Sequence, residues 1–259
     1  MVATSEAVAA LQRLTALLGR RHDDWRAYTA PGDRAVLVSF INPHAVGMTI
    51  DRPGYASDLA EMDILLPDGN LLATSASRQL GRVIVRESFD GNSLAPEVFA
   101  FCRTHALKVA LVGGVDGVAE GAAAVFATEF GVNVVYARSG FFNGEAELDA
   151  CYDRLRALEA DVVICGMGAP HQERFLLGLK GSGWRGLGFT CGGYLDQALD
   201  GGVKYYPEWV NRFNLRAPYR LFREPGRLWR RYLVEYLPFV VADLRLRIAR
   251  SPAVPGAGS

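Results

Sequence analysis

The sequence predicts an α/β fold: a mainly parallel sheet with helices on both faces, followed by a C-terminal basic helical appendage. Three observations predict it. Six short apolar runs recur between residues 35 and 191, and each gives way to Gly, Asp or Asn. Helix-compatible stretches separate several of these runs. Beyond about residue 204 the texture changes to one rich in Arg, Tyr, Trp and Pro. Runs that are apolar throughout, rather than alternating, mark strands buried on both faces, and strand–turn–helix alternation places such strands in a parallel sheet.

The elements follow in order. Residues 5–20 set Ala10, Leu11, Leu14, Leu17 and Leu18 on one helical face. Strands are predicted at 35–41 before Asn42, at 64–66 before Asp68-Gly69, and at 109–112 before Gly113-Gly114. Three more are predicted at 132–136 before Ser139-Gly140, at 162–165 before Gly166 and Gly168, and at 187–191 before Gly192-Gly193. Helices are expected over 119–129, 145–159 and 171–179. The domain reading is a catalytic core over 1–203, a helical, membrane-facing appendage over 204–250, and a disordered Pro/Gly/Ala-rich tail over 251–259. No internal repeat is present.

Composition sets outer bounds. The 259 residues are half hydrophobic, enough to bury a large core. Lys plus Arg and Asp plus Glu both number 28, so the formal net charge is zero. A neutral total argues against a general nucleic-acid binder. It hides an asymmetry: residues 212–250 hold ten arginines against three acids, a charge of +7, which leaves −7 on the rest. Cys102, Cys151, Cys165 and Cys191 share no CxxC spacing and read as buried free thiols in a reducing cytoplasm. The four histidines form no metal-ligand pattern. The first eighteen residues carry Glu6 and no basic leader, so a signal peptide is not expected. No run of about 18 uncharged apolar residues is present to span a bilayer.

Ligands of parallel sheets sit at the carboxyl ends of the strands, where these glycines and polar residues gather. Asp68, before Gly69, is positioned to take a proton from an attacking hydroxyl, although Asp-Gly is also a common turn. In Gly166–Glu173 a Gly-rich turn opens a helix, and its backbone N–H groups suit a phosphate. Gly168 shapes that turn, Gln172 offers an amide to sugar or phosphate oxygens, and Glu173 either joins the site or complements the helix dipole. Gly192 and Gly193 permit close approach of a ligand. Asp196 then serves ribose hydroxyls or caps a helix. Gly113 and Gly114 resemble a degenerate nucleotide-binding turn, and Ser139 and Gly140 end the next strand on the same rim. Arg220, Arg223, Arg227, Arg230 and Arg231 recur at helical spacing among Leu, Phe, Trp and Tyr, a pattern suited to a diphosphate and to anionic lipid. No Asp-x-Asp occurs to clamp a metal-bound sugar diphosphate.

Taken in order, Ser39–Pro43, Leu66–Gly69, Leu111–Gly114, Val163–Glu173, Gly192–Asp196, Tyr206–Trp209 and Tyr219–Tyr232 resemble the WecG/TagA/CpsF glycosyltransferase family, glycosyltransferase family 26. The segment from Arg86 to Ala95 resembles its exopolysaccharide-biosynthesis branch. Departures fall at His171, Leu195 and Ala217-Pro218, where the family pattern has Lys, Phe and an acid–aromatic pair. The resemblance implies a Rossmann-like core. It also implies a UDP-sugar donor, a polyprenyl-diphosphate-linked sugar acceptor, and an inverting, metal-independent mechanism without a cofactor. Attachment would be peripheral, on the inner face of the cytoplasmic membrane. By motif position Asp68 is the general base, Asn42 shares its pocket, Gln172 lies near the sugar or diphosphate, and Asp196 lies near the nucleoside. Arg220, Arg227 and Arg231 complete the site over departing UDP, with Arg230 facing the diphosphate or membrane. A homo-oligomer is compatible with this reading. Two alternatives are a nucleotide-dependent oxidoreductase on the same kind of sheet and a non-catalytic membrane-surface module. The first predicts nicotinamide or flavin binding, the second lipid binding without pocket chemistry.

Overall fold

The computed structural model describes residues 4–20, 25–27, 34–201 and 225–250. Six parallel strands form one open sheet: β1 (Ala35–Ile41), β2 (Ile64–Pro67), β3 (Lys108–Gly113), β4 (Asn133–Arg138), β5 (Val162–Gly166) and β6 (Gly186–Thr190), in spatial order β2-β1-β6-β5-β3-β4. This is the α/β, Rossmann-like architecture expected, and every strand falls on one of the apolar runs.

Helices cover both faces. On one lie α1 (Thr4–Leu18), α2 (His44–Asp51), α3 (Pro53–Glu61), α4 (Asn70–Leu80), α7 (Glu145–Ala157) and α8 (His171–Gly181). On the other lie α5 (Leu94–Thr104), α6 (Val118–Phe130) and α9 (Tyr194–Gly201), with Trp25 from a short 3-10 turn. Side chains alternate between the faces as a strand requires. In β5, Val163 and Cys165 join the first core, while Val162 and Ile164 join the second. All four cysteines are free and buried, and burial pushes the Cys102 thiol up to about 12.

At the C-terminal end α10 (Pro225–Arg230) leads through a π-helical turn, Arg231–Glu235, into α11 (Leu237–Arg250). α11 packs on α1 and α2, and its Phe239 and Ala242 belong to the same buried cluster as α1. Asp243 is buried and accepts hydrogen bonds from Ser75 (2.6 Å) and Arg78 (2.8 Å) of α4 and from Arg247 (2.8 Å). α11 is thereby fastened to the helix that follows β2. The expected division at residue 204, the appendage up to residue 224, and the tail at 251–259 lie outside the described residues. No helix among the described residues is long and apolar enough to cross a membrane.

Connectivity fixes where a ligand fits. β3 continues through α6 on one face, whereas its neighbour β5 continues through α8 on the other. The two exits diverge and leave a crevice at their carboxyl ends. A second divergence separates β1, which continues into α2, from β6, which continues into α9.

Candidate active site

The strand ends are held close by backbone contacts. Gly114 donates its N–H to Gly166 O (3.0 Å), and Asp68 donates its N–H to Ile41 O (2.7 Å). A Cβ on Gly113 would sit 2.4 Å from Gly166 O, so the β3–β5 approach excludes any side chain there. Gly69 adopts φ +106°, open to glycine at little cost, and turns the chain from Asp68 into α4.

Along these ends runs a cleft of about 1180 Å³. Asn42, Asp68, Gln172 and Asp196 all line it, as do Gly114, Gly140, Gly168, Gly192 and Gly193. Residues from all six strand ends and the helices after them thus meet on one surface. Three predicted positions do not line it. Gly113 is packed against β5, Ser139 is buried and accepts from the Phe141 N–H (3.2 Å), and Glu173 is fully buried behind the wall. Among the predicted arginines, Arg220 lies outside the described residues. Arg227 and Arg231 belong to the backbone of α10 and the π-turn, and Arg230 is exposed.

Each polar group has a local reason for its place. Asn42 Oδ1 accepts the His44 N–H (3.0 Å) at the start of α2, which holds the side chain at the cleft. The Asp68 side chain is 40% exposed. Arg86 lies 3.6 Å from Asp68 Oδ1 and 3.1 Å from Asp90, and it also donates to Ser88. The loop bearing these groups is anchored by Phe89, whose ring packs against Phe40, Phe99, Phe189 and Tyr194. Gln172 Oε1 accepts the Gly192 N–H (3.1 Å), linking the turn after β5 to the turn after β6.

Sequence reasoning did not assign Arg86, Ser88 and Asp90 to the site, although their segment stood out as a motif. It also missed Tyr55 and Phe142, which add an apolar wall. His44 pairs with Glu235 of the π-turn at 3.5 Å, where the C-terminal segment meets the rim. Among the described residues no group of three His, Cys, Asp or Glu side chains comes together to hold a metal ion.

The model of the glycosyl transferase WecG/TagA/CpsF family matches residues 21–252, nearly the whole chain. The chain belongs to this family. Two curated relatives agree with the assignment. A UDP-Gal:alpha-D-GlcNAc-diphosphoundecaprenol beta-1,4-galactosyltransferase of Shigella boydii is 30% identical over 206 residues, covering 79% of this chain and 84% of the relative. An N-acetylglucosaminyldiphosphoundecaprenol N-acetyl-beta-D-mannosaminyltransferase of Bacillus subtilis (strain 168) is 24% identical over 197 residues, covering 76% and 75%. As a WecG/TagA/CpsF member the chain is a glycosyltransferase, and the oxidoreductase and non-catalytic readings are set aside. The strand-end cleft of this glycosyltransferase is where its fold gathers Asn42, Asp68, Gln172 and Asp196.

Proposed function

We propose that this glycosyltransferase moves a hexose from a UDP-sugar onto a polyprenyl-diphosphate-linked sugar acceptor, with inversion and without a metal. One observation carries the reading: Asp68, Asn42, Gln172 and Asp196, spread over 155 positions of sequence, line a single cleft at the carboxyl edge of the sheet. Both relatives are named for diphosphoundecaprenol-linked acceptors and for a β-configured transferred sugar. A β product from an α-linked nucleotide sugar requires one displacement with inversion.

In the proposed step the acceptor hydroxyl oxygen attacks the anomeric carbon while Asp68 takes its proton. The new C–O bond forms as the bond from that carbon to the diphosphate oxygen breaks, and UDP departs with the electron pair. Asn42 orients the acceptor beside Asp68. Gln172 holds the sugar or diphosphate near the helix start at α8, and Asp196 takes the ribose hydroxyls. Arg220, Arg227, Arg230 and Arg231 supply positive charge for the departing diphosphate, the role a metal ion fills elsewhere. No cofactor enters the step.

The enzyme would work at the inner face of the cytoplasmic membrane. α11 supports this placement: Leu237, Val240, Leu244 and Ile248 are each about half exposed or more and recur at helical spacing. The polysaccharide assembled would be an exopolysaccharide, a reading supported by the Arg86–Ala95 segment.

The test is direct. The purified chain is incubated with a panel of UDP-hexoses and a GlcNAc-diphosphate-lipid in the presence of a chelator, and products are read by mass spectrometry. A lipid gaining one hexose supports the reading. No addition from any UDP-sugar, with transfer from another nucleotide-sugar class, would overturn the donor assignment.

A further inference from the structure

A chain of buried polar groups runs from the sheet to Gln172, and its other members have no part in the proposed chemistry. Thr190 Oγ1 accepts the Phe40 N–H (3.3 Å) and donates its proton to Ser39 Oγ (3.1 Å). Ser39 donates in turn to Glu173 Oε1 (2.9 Å). The same Glu173 oxygen accepts from Gln172 Nε2 (3.1 Å). Ser39, Thr190 and Glu173 are all fully buried, and the second carboxyl oxygen of Glu173 makes no hydrogen bond among the described residues.

A buried carboxyl is costly, and simple helix-dipole compensation is served equally well by an exposed one. The hydrogen-bond pattern gives the reason for this one. Gln172 has an amide that fits its place in either of two flips. Glu173 is an acceptor on one side, and the Gly192 N–H is a donor on the other (3.1 Å). Together they fix nitrogen toward Glu173 and oxygen toward Gly192. One Gln172 N–H remains uncommitted at the edge of the cleft.

We propose that Glu173 is a positioning residue, which holds the Gln172 amide in one orientation so that its remaining N–H faces the nucleotide-sugar. The inference rests on the proposed role of Gln172 for its catalytic consequence, not for its geometry. Glu173 itself touches no substrate. What it needs is an acceptor at Oε1, so a glutamine presenting its carbonyl there preserves the arrangement, whereas a methionine of similar length does not.

The experiment combines an activity-independent readout with kinetics. In nuclear magnetic resonance spectra the Gln172 side-chain amide, identified by its loss in Q172A, should show one slowly exchanging proton. That protection should vanish in E173M and persist in E173Q. In steady-state assays E173M should lower kcat/KM for the donor roughly 10–100-fold, and E173Q should restore most of it. Added to Q172A, E173M should cause no further loss. Additive losses in the double variant would overturn the positioning role, as would fast exchange of both amide protons in the unaltered protein. Should E173M fail to fold, E173Q decides alone: a loss as large as that of Q172A would show that the charge, not the acceptor, matters. An unaltered enzyme that transfers no sugar from any UDP donor refutes the proposed function instead, and leaves the exchange result standing.

Discussion

The Arg86 guanidinium stands between two carboxylates, 3.6 Å from Asp68 and 3.1 Å from Asp90. Phe89 anchors this loop among four aromatic rings, so Arg86 is fixed by packing as well as by charge. Removing the guanidinium leaves two carboxylates without their shared cation at the proposed site of attack. R86M should reduce turnover at least about 10-fold with donor KM little changed. R86K should recover only part of it, since an ammonium lacks the planar fork that serves both partners. Initial rates at saturating donor check this.

Asp243 fastens α11 to α4 through Ser75 and Arg78. The carboxylate is buried while both arginines are partly solvated, so the pairing is worth less than a fully buried one. D243A should cost about 1–3 kcal/mol of stability, or roughly 2–12 °C in Tm. Thermal unfolding of the two proteins gives the answer.

Burial raises the Glu173 carboxyl above its ordinary value of 4.5, against hydrogen bonds from Gln172 and Ser39 that lower it. Asp58 adds to the rise, and Tyr55 and Cys165 are further titratable neighbours. The folded state then holds a proton that the unfolded state has released, so stability falls as pH rises from the unfolded value to the folded one. E173Q has no such proton. Its Tm relative to the unaltered protein should climb as pH rises above about 4.5, then level off. A constant difference across the range would argue against a raised Glu173.

The proposed membrane contact is best tested without truncation, because Phe239 and Ala242 of α11 are part of the core. Replacing the exposed Leu237, Val240, Leu244 and Ile248 by serine spares those contacts. The variant should keep its Tm and sediment less with anionic vesicles. Equal sedimentation would count against α11 as the contact.

Much of the fold is legible in the sequence because buried parallel strands leave an unbroken apolar signature, as in Val162–Gly166. Sheet order is not legible: β6 lies between β1 and β5, a choice made by packing across more than a hundred residues. The helices α2 to α5 went unassigned in the sequence. α4, for instance, buries small and polar residues such as Ala73, Ser75 and Ala76, which make a faint apolar stripe. Strand-end residues such as Asp68 and Gln172 could be picked out because glycines mark the rim. Glu173 was misplaced onto the rim, since its partner Ser39 lies 134 residues away and inside an apolar run. Arg86 was passed over because no regular element carries it.

The central claim concerns a proton. If Asp68 accepts it from the acceptor hydroxyl, D68N should bind UDP with unchanged affinity by calorimetry and keep its Tm. It should transfer hexose to the lipid-linked acceptor roughly 10²–10⁴-fold more slowly. Turnover within about threefold of the unaltered enzyme, well short of the loss that removing a general base entails, would contradict the account.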